Sequence, residues 1–130
     1  MFNHIMIGCN DIEKSKEFYT KVLGVLGCPE PMRNEDANGN VRYFFIHDGS
    51  VFAITQPIDG AEASCANGST IGFRCGSGEK VKELHDVAVE AGGTSIEDPP
   101  GVRNGSMGPM HLSYFRDLDA HKICGIHQGA

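Results

Sequence analysis

Six histidines, five cysteines and a few arginines carry most of the side chains in this 130-residue chain that could do chemistry near neutral pH. Imidazole titrates close to pH 7, so each histidine is a possible general acid, base or metal ligand. His4 heads the apolar run Ile5-Met6-Ile7, and His111 follows a Gly- and Pro-rich stretch from Asp98 to Pro109. That stretch reads as a loop over an opening, and it carries Arg103, whose planar fork of donors suits a carboxylate or phosphate. Arg74 lies four residues past Thr70, on the same face by the two-residue period of a strand. Tyr43 and Phe45 alternate along an apolar run and could form an aromatic wall for a ligand. Cys124 would be a nucleophile only with a lowered pKa, and with no neighbouring base in sequence it reads as a buried thiol. His47, His85, His121 and His127 fall beside turns, on a helix or near the chain end and are expected in solvent.

Composition removes several classes of function. Lys and Arg number 11 against 17 Asp and Glu, a net charge of -6, and the cations form no strip along the sequence, so a nucleic-acid partner is not expected. No apolar run is long enough to span a bilayer, and Met1-Phe2-Asn3-His4 does not open a secretion signal, so no membrane partner and a cytoplasmic location are expected. Cys9, Cys28, Cys65, Cys75 and Cys124 are odd in number and never spaced C-x-x-C, which argues for reduced thiols rather than disulfides or a structural zinc.

The elements that must position these residues come from an internal repeat. Shifted by 66 positions, the segment starting at His4 overlies the one starting at Thr70, with Ile5/Ile71, Cys9/Cys75, Glu13/Glu79, Lys14/Lys80, Lys16/Lys82, Glu17/Glu83 and Gly27/Gly93 identical. Each copy opens with a β-type run and changes to helical spacing. Val81, Leu84, Ala88 and Ala91 share a helix face, as do Ser15, Phe18, Val22 and Val25. Asp11 and Ser77 stand as N-caps, with Gly27 and Gly92-Gly93 beyond the helix ends. Hairpins follow: Val41 to His47 and Val51 to Gln56 around Asp48-Gly49, then Met110 to Arg116 and Lys122 to Gln128 around residues 117–121. The segment from Pro57 to Asn67 reads as the linker, giving one domain over 1–130 with modules at 1–60 and 68–130.

His4-Ile-Met-Ile-Gly-Cys-Asn-Asp11 followed by Ser15-Lys-Glu-Phe18-Tyr19 and Leu23-Gly24 resembles the opening of a vicinal-oxygen-chelate domain, the superfamily of glyoxalases, bleomycin-resistance proteins and dioxygenases. Tyr114-Phe-Arg-Asp117-Leu118-Asp119-Ala120-His-Lys-Ile123 is similar to that family's aromatic-x-x-D-P-D-G hairpin, with Leu118 and Ala120 replacing Pro and Gly. The resemblance implies an α+β fold of two βαβββ modules in pseudo-two-fold arrangement, strands curling around a cavity, often completed by a homodimer.

In metal-using members four ligands line that cavity. By position they fall on His4, Ala53, Thr70 and Cys124, and only His4 is a competent ligand for a hard divalent ion. A divalent metal cofactor is therefore doubtful unless His47, His111 or a partner subunit supplies substitutes. What the resemblance implies is a glyoxalase-like lyase or isomerase acting on a small polar metabolite. His4 would be its acid or base, and Tyr43, Thr70, Arg103, His111 and Cys124 would face the ligand. The alternative is a non-catalytic small-molecule-binding protein of bleomycin-resistance type, whose acidic surface would attract a cationic drug.

Overall fold

A computed structural model describes residues 1–129. The first half runs β1 (Ile5–Gly8), α1 (Ile12–Gly24), β2 (Met32–Glu35), β3 (Val41–His47) and β4 (Ser50–Thr55). The second runs β5 (Ile71–Arg74), α2 (Gly78–Glu90), β6 (Thr94–Ser95), β7 (Gly101–Gly105), β8 (Gly108–Arg116) and β9 (Lys122–Gln128). Both helices start where their caps dictate: the Lys14 N–H donates to Asp11 Oδ1 and the Lys80 N–H to Ser77 Oγ, each at 3.1 Å. These bonds satisfy amide donors that the first turn leaves without partners.

The strands form two sheets of matching order, β1-β4-β3-β2 and β5-β9-β8, with β6 and β7 both pairing β8. β1 lies parallel to β4 and β5 parallel to β9, while the hairpins are antiparallel. Asp48 and Gly49, both at positive φ, make the two-residue turn between β3 and β4, the geometry that matches strand twist. This is the α+β architecture of paired βαβββ modules, with β6 as a short addition in the second.

Each helix contributes its apolar stripe to one shared core. Phe18, Tyr19 and Val22 from α1 and Val81, Leu84 and Ala88 from α2 meet Phe45, Ile54, Phe115 and Ile123 from the sheets. Phe18 packs edge-on against Phe115, and Phe52 against Phe73, so aromatic rings join the two halves. Polar bonds add to this seam, because the β8–β9 turn docks onto the β1–α1 junction. Asp119 accepts from the Asn10 N–H and Ser15 Oγ, and His121 Nε2 lies 2.7 Å from the Gly8 carbonyl.

Three expectations change. The stretch carrying Arg103 is a strand: β7 pairs β8 through a two-residue connection, with Arg103 opposite Met110. Its Gly and Pro content suggests a loop, yet Gly101, Gly105, Gly108 and Pro109 are paired positions of the hairpin, and the edge of β8 supplies the hydrogen bonds. The turn-rich stretches after each helix contain the edge strands β2 and β6, whose polar sequences lack an alternating pattern. His85 is buried rather than in solvent, held between Asp86 Oδ1 at 2.9 Å and Ser95 Oγ at 2.8 Å, while His121 and His127 are half-buried and hydrogen-bonded to backbone carbonyls. A helix stripe of Val81, Leu84 and Ala88 leaves the adjacent position 85 half-turned toward the core, where its two ring nitrogens need partners.

Candidate functional site

Each sheet has one face against the helices and one face away from them. On the helix side lie Tyr43, Phe45, Phe52 and Ile54 in the first sheet, and Phe115 and Ile123 in the second. Ala53, Leu112 and Cys124 are equally buried but stand outside that core, on the opposite face, as strand alternation requires. Registers show that the two opposite faces correspond. Ala53 is flanked by Met6 on β1 and Phe44 on β3, and Cys124 by Gly72 on β5 and Tyr114 on β8. His4 and Thr70 immediately precede β1 and β5, each two residues before Met6 and Gly72. The 66-residue shift therefore holds in three dimensions for His4 and Thr70, while Ala53 and Cys124 correspond through their flanking strands at a spacing of 71 residues.

The donor chemistry at those positions does not fit a resident divalent ion. Ala53 is fully buried and has no donor atom. Thr70 is exposed and offers a neutral hydroxyl. Burial pushes the Cys124 thiol up, only partly opposed by the neighbouring Tyr114 hydroxyl and Lys122, so the thiolate needed for coordination or attack is disfavoured. His4 is exposed with Nδ1 2.7 Å from Asn3 Oδ1. Among the described residues no three His, Cys, Asp or Glu side chains converge. His47 lies at the end of β3 with Nε2 3.0 Å from the Leu26 carbonyl, and His111 is on the helix side of its sheet, so neither substitutes.

What the second sheet does gather is positive charge. By register, Arg74, Arg103, Arg116 and Lys122 share a face with Thr70, Tyr114 and Cys124. Four of the chain's 11 Lys and Arg thus share this face. Arg103 is held by two bonds from Nη2 to the Asp98 and Pro99 carbonyls, both 3.0 Å, leaving Nε and Nη1 without protein acceptors among the described residues. Lys122 pairs with Glu97 and lies 4.7 Å from the Tyr114 ring centre. Arg116 donates to the Ala120 carbonyl at 2.8 Å. Arg74 makes no ion pair or side-chain hydrogen bond among the described residues.

Other candidates separate. Thr70, Arg103 and Cys124 belong to this cationic face, and His4 to the corresponding face of the first sheet. Tyr43 lies on the helix side, its hydroxyl donating to Glu13 at 2.7 and 2.9 Å, and that carboxylate, with burial, holds the phenol above its ordinary pKa. His111 packs against Gly78 at the start of α2. The register also adds Tyr114, Arg116 and Lys122, which sequence reasoning passed over; counting by twos from Cys124 and across the hairpin would have found them.

A family model described as the Glyoxalase/Bleomycin resistance protein/Dioxygenase superfamily matches residues 1–124. The chain is 43% identical to a glyoxalase/bleomycin resistance protein from Albidiferax ferrireducens, with a TM-score of 0.91 over 98% of this chain and 99% of that one. Two more distant structures share the fold. A glyoxalase-related enzyme from Fulvimarina pelagi has 21% identity and a TM-score of 0.70, over 97% of this chain and 86% of that one. The fosfomycin resistance protein FosX from Listeria monocytogenes, solved with Mn(II) and sulfate, has 16% identity and a TM-score of 0.70, over 99% and 93%. No curated protein sequence matches the chain.

Proposed function

The chain belongs to the glyoxalase/bleomycin resistance/dioxygenase superfamily, and from that premise we propose that it binds a small anionic metabolite on the open face of its second sheet and acts on it as a lyase or isomerase. The observation that carries this reading is that Arg74, Arg103, Arg116 and Lys122 lie on one face of the second sheet of an otherwise acidic protein, Arg74 and Arg103 toward one end of β8 and Arg116 and Lys122 at the other. A guanidinium already fixed by the Asp98 and Pro99 carbonyls costs little ordering when it meets a carboxylate or phosphonate.

His4 is the acid or base of this reading. It takes a proton from the carbon next to the bound anionic group and, in an isomerisation, returns it to a neighbouring atom; in an elimination the carbon–carbon double bond forms as the β-substituent departs with its bonding electron pair, and the imidazolium gives the proton to that group or to water. No step passes through a metal. The two open faces work together either within one chain or across a homodimer. Met32 and Ile46, 63% and 47% exposed on the open face of the first sheet, support a homodimer in which a second copy covers them. Five unpaired thiols support a reducing, cytoplasmic setting.

Solvent-deuterium exchange tests this directly. A panel of small carboxylates and phosphonates is incubated with the protein in D₂O and followed by NMR. Exchange or conversion that is lost in His4→Ala, and whose KM rises about tenfold or more in Arg103→Ala or Arg74→Ala, supports it. Conversion unchanged in all three variants overturns it. A second reading, sequestration without turnover, is favoured by the chemistry of Ala53 and Cys124, which supply neither a ligand set nor an activated nucleophile. Saturable binding of a compound recovered unaltered, insensitive to His4→Ala, would establish that instead.

A further inference from the structure

A recess of about 540 Å³ lies on the other side of the second sheet, between the start of α2 and the β7–β8 hairpin. Its wall includes Gly78, Glu79, His111 and His127. The proposed anion site uses none of them. His111 and His127 are direct partners across the antiparallel pair β8–β9, so their side chains leave the same face side by side. Their ring centres are 6.1 Å apart.

That spacing has chemical meaning. Two imidazoles on one ion, with metal–nitrogen bonds of about 2.0–2.1 Å, place their ring centres roughly 5 to 6.5 Å apart as the angle at the metal opens from tetrahedral to linear. The observed pair lies at the wide-angle end of that range, so a small rotation of either ring brings the nitrogens to a common ion. His127 Nδ1 lies 3.1 Å from the Cys75 carbonyl. A carbonyl can only accept, so Nδ1 carries the proton and Nε2 keeps its lone pair, the tautomer that metal-ligating histidines adopt when the other ring nitrogen is tied to a backbone carbonyl. His111 has its place because residue 78 is glycine: a Cβ there would lie 2.5 Å from its Nδ1 and Cε1. Glu79 and Lys82 also line the recess, and the Lys82 charge is paired with Asp86.

We propose that His111 and His127 form a two-histidine metal site on the second sheet for a borderline divalent ion of the Ni²⁺, Cu²⁺ or Zn²⁺ type, with the remaining positions taken by water. Imidazole nitrogen suits these ions over Mg²⁺ or Ca²⁺, which prefer oxygen donors. The site lies on the opposite face of the sheet from Thr70 and Cys124, and does not depend on the anion-binding reading.

The test is titration of the full chain with Ni²⁺ or Zn²⁺ alone by calorimetry, with Cu²⁺ electron paramagnetic resonance as a second readout. One ion per chain is expected, with nitrogen couplings in the Cu²⁺ spectrum. Affinity should fall about tenfold or more in His111→Ala and in His127→Ala, and be unchanged in His4→Ala. Gly78→Ala should also weaken binding by displacing His111, while circular dichroism reports whether α2 persists. Absence of saturable binding, binding that survives both histidine substitutions, or binding lost in His4→Ala would each overturn the proposal.

Discussion

The Tyr19 hydroxyl donates a 2.5 Å hydrogen bond to Asp117 Oδ2, joining α1 in the first half of the chain to the β8–β9 turn in the second. Asp117 Oδ1 meanwhile accepts from the Asp119 and His121 N–H groups at 2.9 Å each. One buried carboxylate therefore organises the turn and anchors it to the other half. Tyr19→Phe should cost about 1–3 kcal/mol, and Asp117→Ala more, because the alanine leaves the phenol and two backbone donors without acceptors. Asp117→Asn keeps the Oδ1 acceptor and should fall between wild type and alanine. Urea denaturation of the three variants checks the order.

Acid behaviour follows from the same pair. Burial raises the Asp117 pKa, and the Tyr19 bond partly opposes this. A folded pKa above the unfolded value of 3.8 means that the native state holds the proton more tightly. The contribution of Asp117 is then fully present below pH 3.8 and is lost as pH rises through the folded value. Tyr19→Phe removes the opposing bond and should extend that loss to higher pH, read from melting temperature against pH beside Asp117→Asn, which abolishes it.

Alkaline stability has its own marker. Burial and the nearby Asp119 push the Cys9 thiol from 9.0 to about 12. Stability associated with the neutral thiol is present below pH 9.0 and is lost progressively as pH rises toward 12. Cys9→Ala should flatten the fall in melting temperature over that interval while leaving Asp117-dependent acid behaviour unchanged.

Thiol reactivity separates chemistry from packing at Cys124. Cys65 is exposed, while Cys9, Cys75 and Cys124 are buried with raised pKa values. At pH 8 an aromatic disulfide reagent should label Cys65 first and Cys28, half-buried with a raised pKa, more slowly. The other three should react only on unfolding. Rapid labelling of Cys124 in the native protein would reopen its role as a nucleophile.

Ala120 sits at φ 68 in the β8–β9 turn, the left-handed region that disfavours a Cβ. Ala120→Gly should stabilise the fold by about 0.5–1 kcal/mol, the relief of strain exceeding the extra entropy of the unfolded glycine. Thermal denaturation of the single variant is enough to decide it.

Helix faces, caps and both central hairpins were legible in the sequence because each rests on local signals: apolar spacing, Asp11 and Ser77, Asp48-Gly49. The repeat made the correspondence of His4 with Thr70 legible, while that of Ala53 with Cys124 came only from the family resemblance. β7 was not, since its strand character comes from pairing with β8 rather than from its own residues. The sidedness of single residues was equally hidden. Tyr43 and His111 sit on β-type runs with no polar alternation strict enough to say which face meets the helix, and only the registers with Phe52, Ile54 and Ile123 settle it. The cationic face combines residues from β5, β7, β8 and β9, which no linear motif brings together.

The bond from the Asn10 N–H to Asp119 spans 109 residues. During synthesis at about 5–20 residues per second, the β1–α1 junction waits roughly 5–20 s for the turn that completes it. The first half therefore emerges from the ribosome with its helix start and part of its aromatic core uncovered, and truncation before residue 117 deprives it of that closing contact altogether.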